Sequence, residues 1–285
     1  MGKANKVKVE FLETREIVNV LQTLKDIADN KFYTLVQQKK FFKRFGETFV
    51  EFFRMLSLTE VEHPLISNKN PKVGILVITA EGGFLGEFNQ KIVRLAVQEY
   101  QKCAQAVMIG VGDKTQDMLA KYKPARVFSG MEPHRLYKLA IEIKDYVVKE
   151  VMEDRLGKII ICYSWAKNPE SSIPRVGTLL PAQDLVAKQA QFVDVYERII
   201  QESDPKDMIT YLVNLWIGTR IYEILMDNII ASTRHQATFL DDSVDKMKKE
   251  RDKVKVKWRK AKKSDIDKSL RETFSARMMT EKQTA

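Results

Sequence analysis

Residues 240–266 read LDDSVDKMKKERDKVKVKWRKAKKSDI, and their spacing decides the architecture. Leu240, Val244, Met247, Val254, Trp258 and Ala261 recur every three or four residues, with a gap at Arg251. That 3.5-type stripe suits a coiled-coil seam better than a globular core. A second stripe, Ile217, Ile221, Ile224, Leu225 and Asn228, precedes it. Both lie in residues 206–276, which hold no proline and one glycine, Gly218. Proline costs about 3 kcal/mol inside a helix and glycine about 1. One helix over that span would extend about 105 Å. It cannot sit inside one compact domain and needs a partner along its length.

The partner is at the other end of the chain. All eight prolines lie between Pro64 and Pro205, and nine of the twelve glycines lie between Gly74 and Gly177. Before residue 60 the only glycines are Gly2 and Gly46. Ile17, Val20, Leu21, Leu24, Ile27 and Ala28 follow a helical spacing, and Phe42, Phe45, Phe49 and Phe52 continue it. The expected fold is an α/β insert flanked by long N- and C-terminal helices that wind together as an antiparallel coiled coil. The expected segments are 1–60, 61–205 and 206–285.

The middle segment reads as α/β. VGILVITA (73–80), AVMIGV (106–111) and KIIICYSW (158–165) are continuous apolar runs of the kind buried on both faces of a parallel sheet. Helical patterns follow at 92–100, 114–122 and 134–153. Alternating strands and helices predict a mainly parallel, Rossmann-like sheet.

Its candidate chemistry is thin. Gly82-Gly83-Phe84-Leu85-Gly86 stands between strand and helix as a dinucleotide fingerprint would, but Glu81 occupies the place of the first glycine and would repel a pyrophosphate. Gly110-Val111-Gly112-Asp113-Lys114-Thr115 lacks the Gly-Lys doublet of a phosphate loop. There is no G-x-S-x-G elbow and no H-E-x-x-H. Two cysteines, Cys103 and Cys162, exclude a disulfide scaffold or a four-cysteine zinc site and read as small core residues. His63, His134 and His235 are too scattered for a metal site. No catalytic residue, metal or cofactor is expected. No apolar run approaches the roughly 20 residues that span a bilayer. MGKANKVKVEF carries no apolar signal core, so a soluble protein in a reducing compartment is expected.

Charge is concentrated. The chain carries +10 overall, yet Lys246–Lys263 alone holds 11 basic and two acidic side chains, Glu250 and Asp252, a net +9. Such self-repulsion on one helix predicts an anionic partner, either an acidic protein surface or nucleic acid. The single aromatic there, Trp258, falls on the seam, which argues against a base-stacking surface. The residues by themselves thus leave open a basic coiled-coil adaptor and a nucleic-acid-binding protein with a structural α/β insert.

Four stretches in register resemble the gamma subunit of F-type ATP synthases. They are Leu24-Lys25-Asp26-Ile27-Ala28-Asp29-Asn30-Lys31-Phe32, the turn Thr79–Asn89 ending in Phe-Asn, Ile161-Cys162-Tyr163 with Leu179-Leu180-Pro181, and Trp258–Ile266. The match departs at Glu87, where the family has glycine, at Lys262-Lys263, where it has Arg-Gln, and at Asp267, where it has threonine.

The resemblance implies a non-catalytic rotor shaft, one copy per complex. It would sit in a ring of alpha and beta subunits and dock below on an epsilon subunit and a membrane ring of c subunits, with no nucleic acid bound. The complex would lie peripherally on the cytoplasmic, matrix or stromal face of an energy-transducing membrane. Leu24, Lys262, Lys263 and Asp267 match family positions that touch beta. The resemblance implies that Lys246, Lys248, Lys249, Arg251, Lys253, Lys255, Lys257, Arg259 and Lys260 face acidic beta loops. It also implies that Ile266, Leu270, Phe274 and Met278 form an apolar tip running in an apolar sleeve.

Overall fold

The computed structural model describes residues 3–54, 62–168, 171–182 and 204–283, and their side chains except at 40–54, 167, 168, 171, 205 and 278–283. Phe42, Phe45, Phe49 and Phe52 therefore lie outside the described side chains, as do Met278 and Met279. The elements run α1 (Lys3–Arg54), β1 (Val73–Ile78), α2 (Phe88–Lys102), β2 (Ala106–Val111), α3 (Thr115–Met118), a 3-10 turn (Ala120–Tyr122), β3 (Arg126–Phe128), α4 (Leu136–Met152), β4 (Lys158–Asn168), β5 (Ser171–Leu180) and α5 (Pro205–Gln283). The chain divides into two compact units: Asp29–Gln236, and Met1–Ala28 with Ala237–Ala285.

The first unit is built on a five-stranded sheet in the order β3-β2-β1-β4-β5. β1 pairs in parallel with β2 and β4, as Leu76↔Ile109 and Leu76↔Ile161, and β2 pairs in parallel with β3. β5 is antiparallel to β4. Alternation along β1 sorts its side chains between two cores. Ile75 and Val77 face α2, packing with Phe88, Ile92 and Ala96. Leu76 and Ile78 join Leu136, Leu139, Ile143 and Val147 of α4, Ile217, Ile221 and Leu225 of α5, and Phe32 and Leu35 of α1. Burial on both faces is the reason for the unbroken VGILVI run.

Two strands are additions to the sequence reading. β3 is only three residues long. β5 contains Pro174 and Gly177, which read as breakers. As an edge strand it tolerates a proline that a central strand would not.

In the second unit, α1 residues 3–28 and α5 residues 237–283 touch at a series of points. The Ala4 N–H donates to Asp265 Oδ2 at 3.2 Å. Phe11 stacks on Trp258 with centroids 5.5 Å apart. Lys25 pairs with Asp241 at 2.8 Å. Ala28 packs with Ala237 and Leu240, flanked by Leu21 and Leu24. On α5 the stripe predicted from sequence is present: Leu240, Val244, Val254 and Ala261 are buried, and Met247, Arg251 and Trp258 half-buried. Arg251 fills the gap instead of interrupting it. On α1 the predicted stripe divides: Leu21, Leu24 and Ala28 lie on the seam, and Ile17, Val20 and Ile27 do not. Thr14, Val18 and Ala28 are buried, whereas Ile17, Val20 and Ile27 are 47%, 58% and 58% exposed.

Candidate functional site

The basic stretch on α5 wraps about 220° of the helix. Ten of its eleven cations are exposed, and Arg251 is half-buried. At 100° per residue, with Val254 on the seam taken as zero, those ten project from about 80° round to about 300°. Only the seam side is free of them. The two carboxylates inside the stretch are used locally, Asp252 by Arg251 at 2.8 Å and Glu250 by Lys253 at 3.3 Å. The others project into solvent, so the positive potential belongs to an arc more than to a face.

The residues matched to beta contacts fall in two places. Leu24 is half-buried against Ala28, Ala237 and Leu240, so part of its side chain is committed to the seam. Lys262, Lys263 and Asp267 are exposed near the far end of α5. Asp267 borders a surface hollow of about 370 Å³ shared with Lys260, Lys263, Ser264, Lys268 and Arg271. Lys263 and Arg271 stand one turn before and after it, so its single negative charge is set in a positive surround. Ile266, Leu270 and Phe274 follow at four-residue spacing on one face, 50%, 53% and 66% exposed. Three large apolar side chains left in water on one helical line mark a surface that expects cover.

The carboxyl edge of the sheet, where an α/β fold of this kind takes a ligand, is filled by the chain itself. The Gly82–Gly86 turn needs left-handed backbone at Gly82 (φ 104°), Phe84 (φ 57°) and Gly86 (φ 48°). Glu81 accepts the N–H groups of Gly130 (3.1 Å) and Met131 (3.1 Å), tying this turn to the loop before α4. Its carboxylate is thus held by backbone N–H groups as a structural tie. Asn89, in the first turn of α2, bonds both N–H and C=O of Ala80 through its side chain, at 2.8 and 2.9 Å. Lys114 donates to the Gly82 carbonyl at 2.7 Å, and the Thr115 hydroxyl to the Gly112 carbonyl. The would-be phosphate loop is a backbone brace.

Cys162 is fully buried, and burial pushes its thiol up to about 12, far from a thiolate at neutral pH. Among the described residues no group of three or more His, Cys, Asp or Glu side chains could hold a metal ion, and no helix is long and apolar enough to cross a membrane.

Two histidines brace the sheet-bearing unit. His63 accepts the Leu65 N–H at Nδ1 (3.3 Å) and places Nε2 3.0 Å from the Thr210 hydroxyl. Burial, then Lys206, lowers its pKa. His235 lies 5.6 Å from the Phe88 ring, and burial, then Lys91, lowers its pKa against the opposing pull of a hydrogen bond to Leu85. Both rings bind protons more weakly folded than unfolded. Their contribution to stability is therefore fully present above about pH 6.5 and falls as pH drops through that value toward their folded pKa. Urea unfolding at pH 7.5 and 5.5 is expected to show a loss that shrinks in a variant with both His63→Gln and His235→Gln. An unaltered pH slope in that variant would refute the assignment. Asp227 works with the opposite sign, since burial raises its carboxyl pKa, and the variant leaves it in place.

Comparisons with known proteins place the whole chain in one setting. The family model described as ATP synthase matches residues 4–277. An ATP synthase gamma chain from Lachnoclostridium phytofermentans is 26% identical over 263 residues, covering 90% of this chain and 87% of that one. Another, from Pelotomaculum thermopropionicum, is 27% identical and covers 74% and 75%. Among solved structures, the rotor of the Euglena gracilis mitochondrial ATP synthase superimposes with a TM-score of 0.60 at 14% identity, over 92% of this chain and 98% of that one. The central stalk and c-ring structure of the Tetrahymena thermophila enzyme gives 0.60 at 16%, over 79% and 99%.

Proposed function

The chain belongs to the ATP synthase family, and on that premise we propose that it is the central rotor shaft, the gamma-type subunit, of a rotary ATP synthase or ATPase. It performs no chemistry itself. The observation that carries the reading is α5, one helix of 79 residues whose second half carries both the basic arc and the exposed apolar line. At 1.5 Å per residue it is about 120 Å long. A protein needs such a rod to act over a distance.

The flanks, 1–60 and 206–285, form an antiparallel coiled coil around the insert 61–205. The contacts Ala4–Asp265, Phe11–Trp258 and Lys25–Asp241 support this, since one number falls as the other rises. So does the 3-4 rhythm of burial along α5. Two helices wound together resist bending and twisting better than one.

The partners are the alpha and beta subunits of the catalytic head, with an epsilon subunit and a c-ring below. Each angle of an asymmetric shaft contacts the beta subunits unequally, stabilising open or closed states in turn. Lys262 and Lys263, with the arc from Lys246 to Lys260, meet acidic loops on beta. Exposed pairs are worth roughly 0–1 kcal/mol each, weak enough to slide past one another. Leu24 and Asp267 complete the contact set. Ile266, Leu270, Phe274 and Met278 turn in an apolar sleeve. The subunit is present once per complex, peripheral to the membrane on its cytoplasmic, matrix or stromal side.

Pulldown of the tagged protein from its native cell, followed by mass spectrometry, tests this. Three alpha-like and three beta-like ATPase subunits per copy are expected, with c-ring components. Recovery of nucleic acid, or of no ATPase subunits, would overturn the rotor reading and leave a basic adaptor.

A further inference from the structure

Parallel strands of this kind hold a ligand where their order reverses, outside the carboxyl ends of the two strands at that point. Here the reversal lies between β1 and β4. The printed ladder between them ends at Val77↔Cys162. Just beyond, the fully buried side chain of Asn228, from α5, enters the gap. Its Oδ1 accepts the Ser164 N–H at 3.0 Å and its Nδ2 donates to the Thr79 carbonyl at 3.4 Å. A carboxamide has one acceptor and one donor set as a peptide group has, so it stands in for the next rung of the ladder. The two strands, which have begun to part, are joined through α5.

The surroundings reinforce that joint. One residue earlier, the buried Asp227 carboxylate takes an ion pair from Lys39 of α1. Ala231, one turn later, is buried with Phe88 and Ile92 on the α2 side, while Ile224 and Leu225, one turn before, pack on the α4 side. Farther on, Gln236 donates to the Gly83 carbonyl at 3.2 Å.

We propose that α5 is the resident occupant of the sheet's ligand crevice and that Asn228 is the pin that makes the sheet and the part of α5 packed on it, residues 205–236, move as one body. Asn228 is a positioning residue: it touches no nucleotide and acts through the rigidity of the joint. Asp227 and Lys39 extend the joint to α1. The mechanical consequence rests on the rotor reading; the joint itself does not.

The test uses the full chain assembled with its alpha and beta subunits, immobilised by the head and driven by ATP. Beads are attached through a cysteine placed either at Lys121, exposed beside β3, or at Tyr211, exposed on α5, in a background with Cys103→Ser. Asn228→Leu keeps the side-chain volume and removes both hydrogen bonds. Turnover and the angular spread of the Tyr211 bead are expected to be unchanged. The spread of the Lys121 bead at each dwell is expected to widen about twofold. Equal widths at both sites in the variant would overturn the proposal.

Beads that never rotate with wild-type chain would count against the rotor reading alone, and amide exchange of the isolated full chain then decides the joint. The Ser164 amide is expected to exchange at least about tenfold faster in Asn228→Leu than in wild type. Asn228→Asp, which keeps the acceptor, is expected to hold Ser164 protection near wild type and serves if the leucine variant does not fold. Ser164 protection unaffected by Asn228→Leu, or lost equally in Asn228→Asp, would overturn the joint.

Discussion

Replacing Gly157 with alanine is expected to lower the stability of the sheet-bearing unit by about 3 kcal/mol. For a unit of this size that is a fall of roughly 10 °C in Tm. An added Cβ would lie 1.9 Å from the Asn70 carbonyl oxygen, 2.7 Å from its carbon and 2.8 Å from Asn70 Cβ. Backbone, not a flexible side chain, is in the way. Nor is Asn70 free to retreat. Its side chain donates to the Asp154 carbonyl at 2.6 Å and accepts the Lys72 N–H at 2.9 Å, and its own N–H is held by Asn68 at 2.8 Å. The Gly157 N–H itself donates to the Lys72 carbonyl at 2.8 Å, fixing the approach from the other side. Gly83→Ala is the control: nothing lies within 4 Å of its Cβ and its φ is ordinary, so a change below about 0.5 kcal/mol is expected. Equal thermal unfolding of the two variants would refute the argument.

Charge reversal at Lys262 and Lys263, both to glutamate, is expected to slow ATP turnover of the assembled complex about tenfold. Both side chains are exposed, on the outward arc, so the isolated chain should melt as wild type does. On the proposed contacts, two attractions of roughly 0.2–1 kcal/mol would become two repulsions of similar size. The difference, about 1–4 kcal/mol, spans the 1.4 kcal/mol that corresponds to tenfold. The defect should also shrink with salt, because the screening length drops from about 10 Å at 0.1 M to about 3 Å at 1 M. Unchanged hydrolysis at low salt would remove these lysines from the contact set.

The two long helices, Lys3–Arg54 and Pro205–Gln283, were legible because proline and glycine act on the backbone directly. Their crowding between residues 64 and 205 marks off the helices on either side without reference to any partner. β1, β2 and β4 were legible for a similar reason, since burial on both faces leaves no polar position to confuse the run. β5 was not, because an edge strand makes few demands and Pro174 and Gly177 speak against it. The phase of α1 was legible only in part. Its apolar residues form two adjoining lines, Ile17, Val20 and Ile27 on one and Val18, Leu21 and Ala28 on the other, with Leu24 between them. Which one faces α5 is decided by α5, and α1 alone does not record the choice. The joint at Asn228 left only a polar residue at the end of an apolar stripe. The proposed contact set near Lys262 rests on charge density and resemblance, since its side chains are exposed among the described residues.

The cations of residues 246–263 spread over about 220° of circumference, with no bare strip except the one α1 covers. A shaft with one charged edge would be drawn to each acidic neighbour in turn and would catch there, as a toothed rotor catches between magnets. A shaft charged over some 220° of its exposed helix surface would feel a more even pull than one charged along a single edge. On the proposed contact set, such an attraction would centre the shaft without choosing a stopping place, and the resting angles would be left to shape and to the apolar line at Ile266, Leu270 and Phe274.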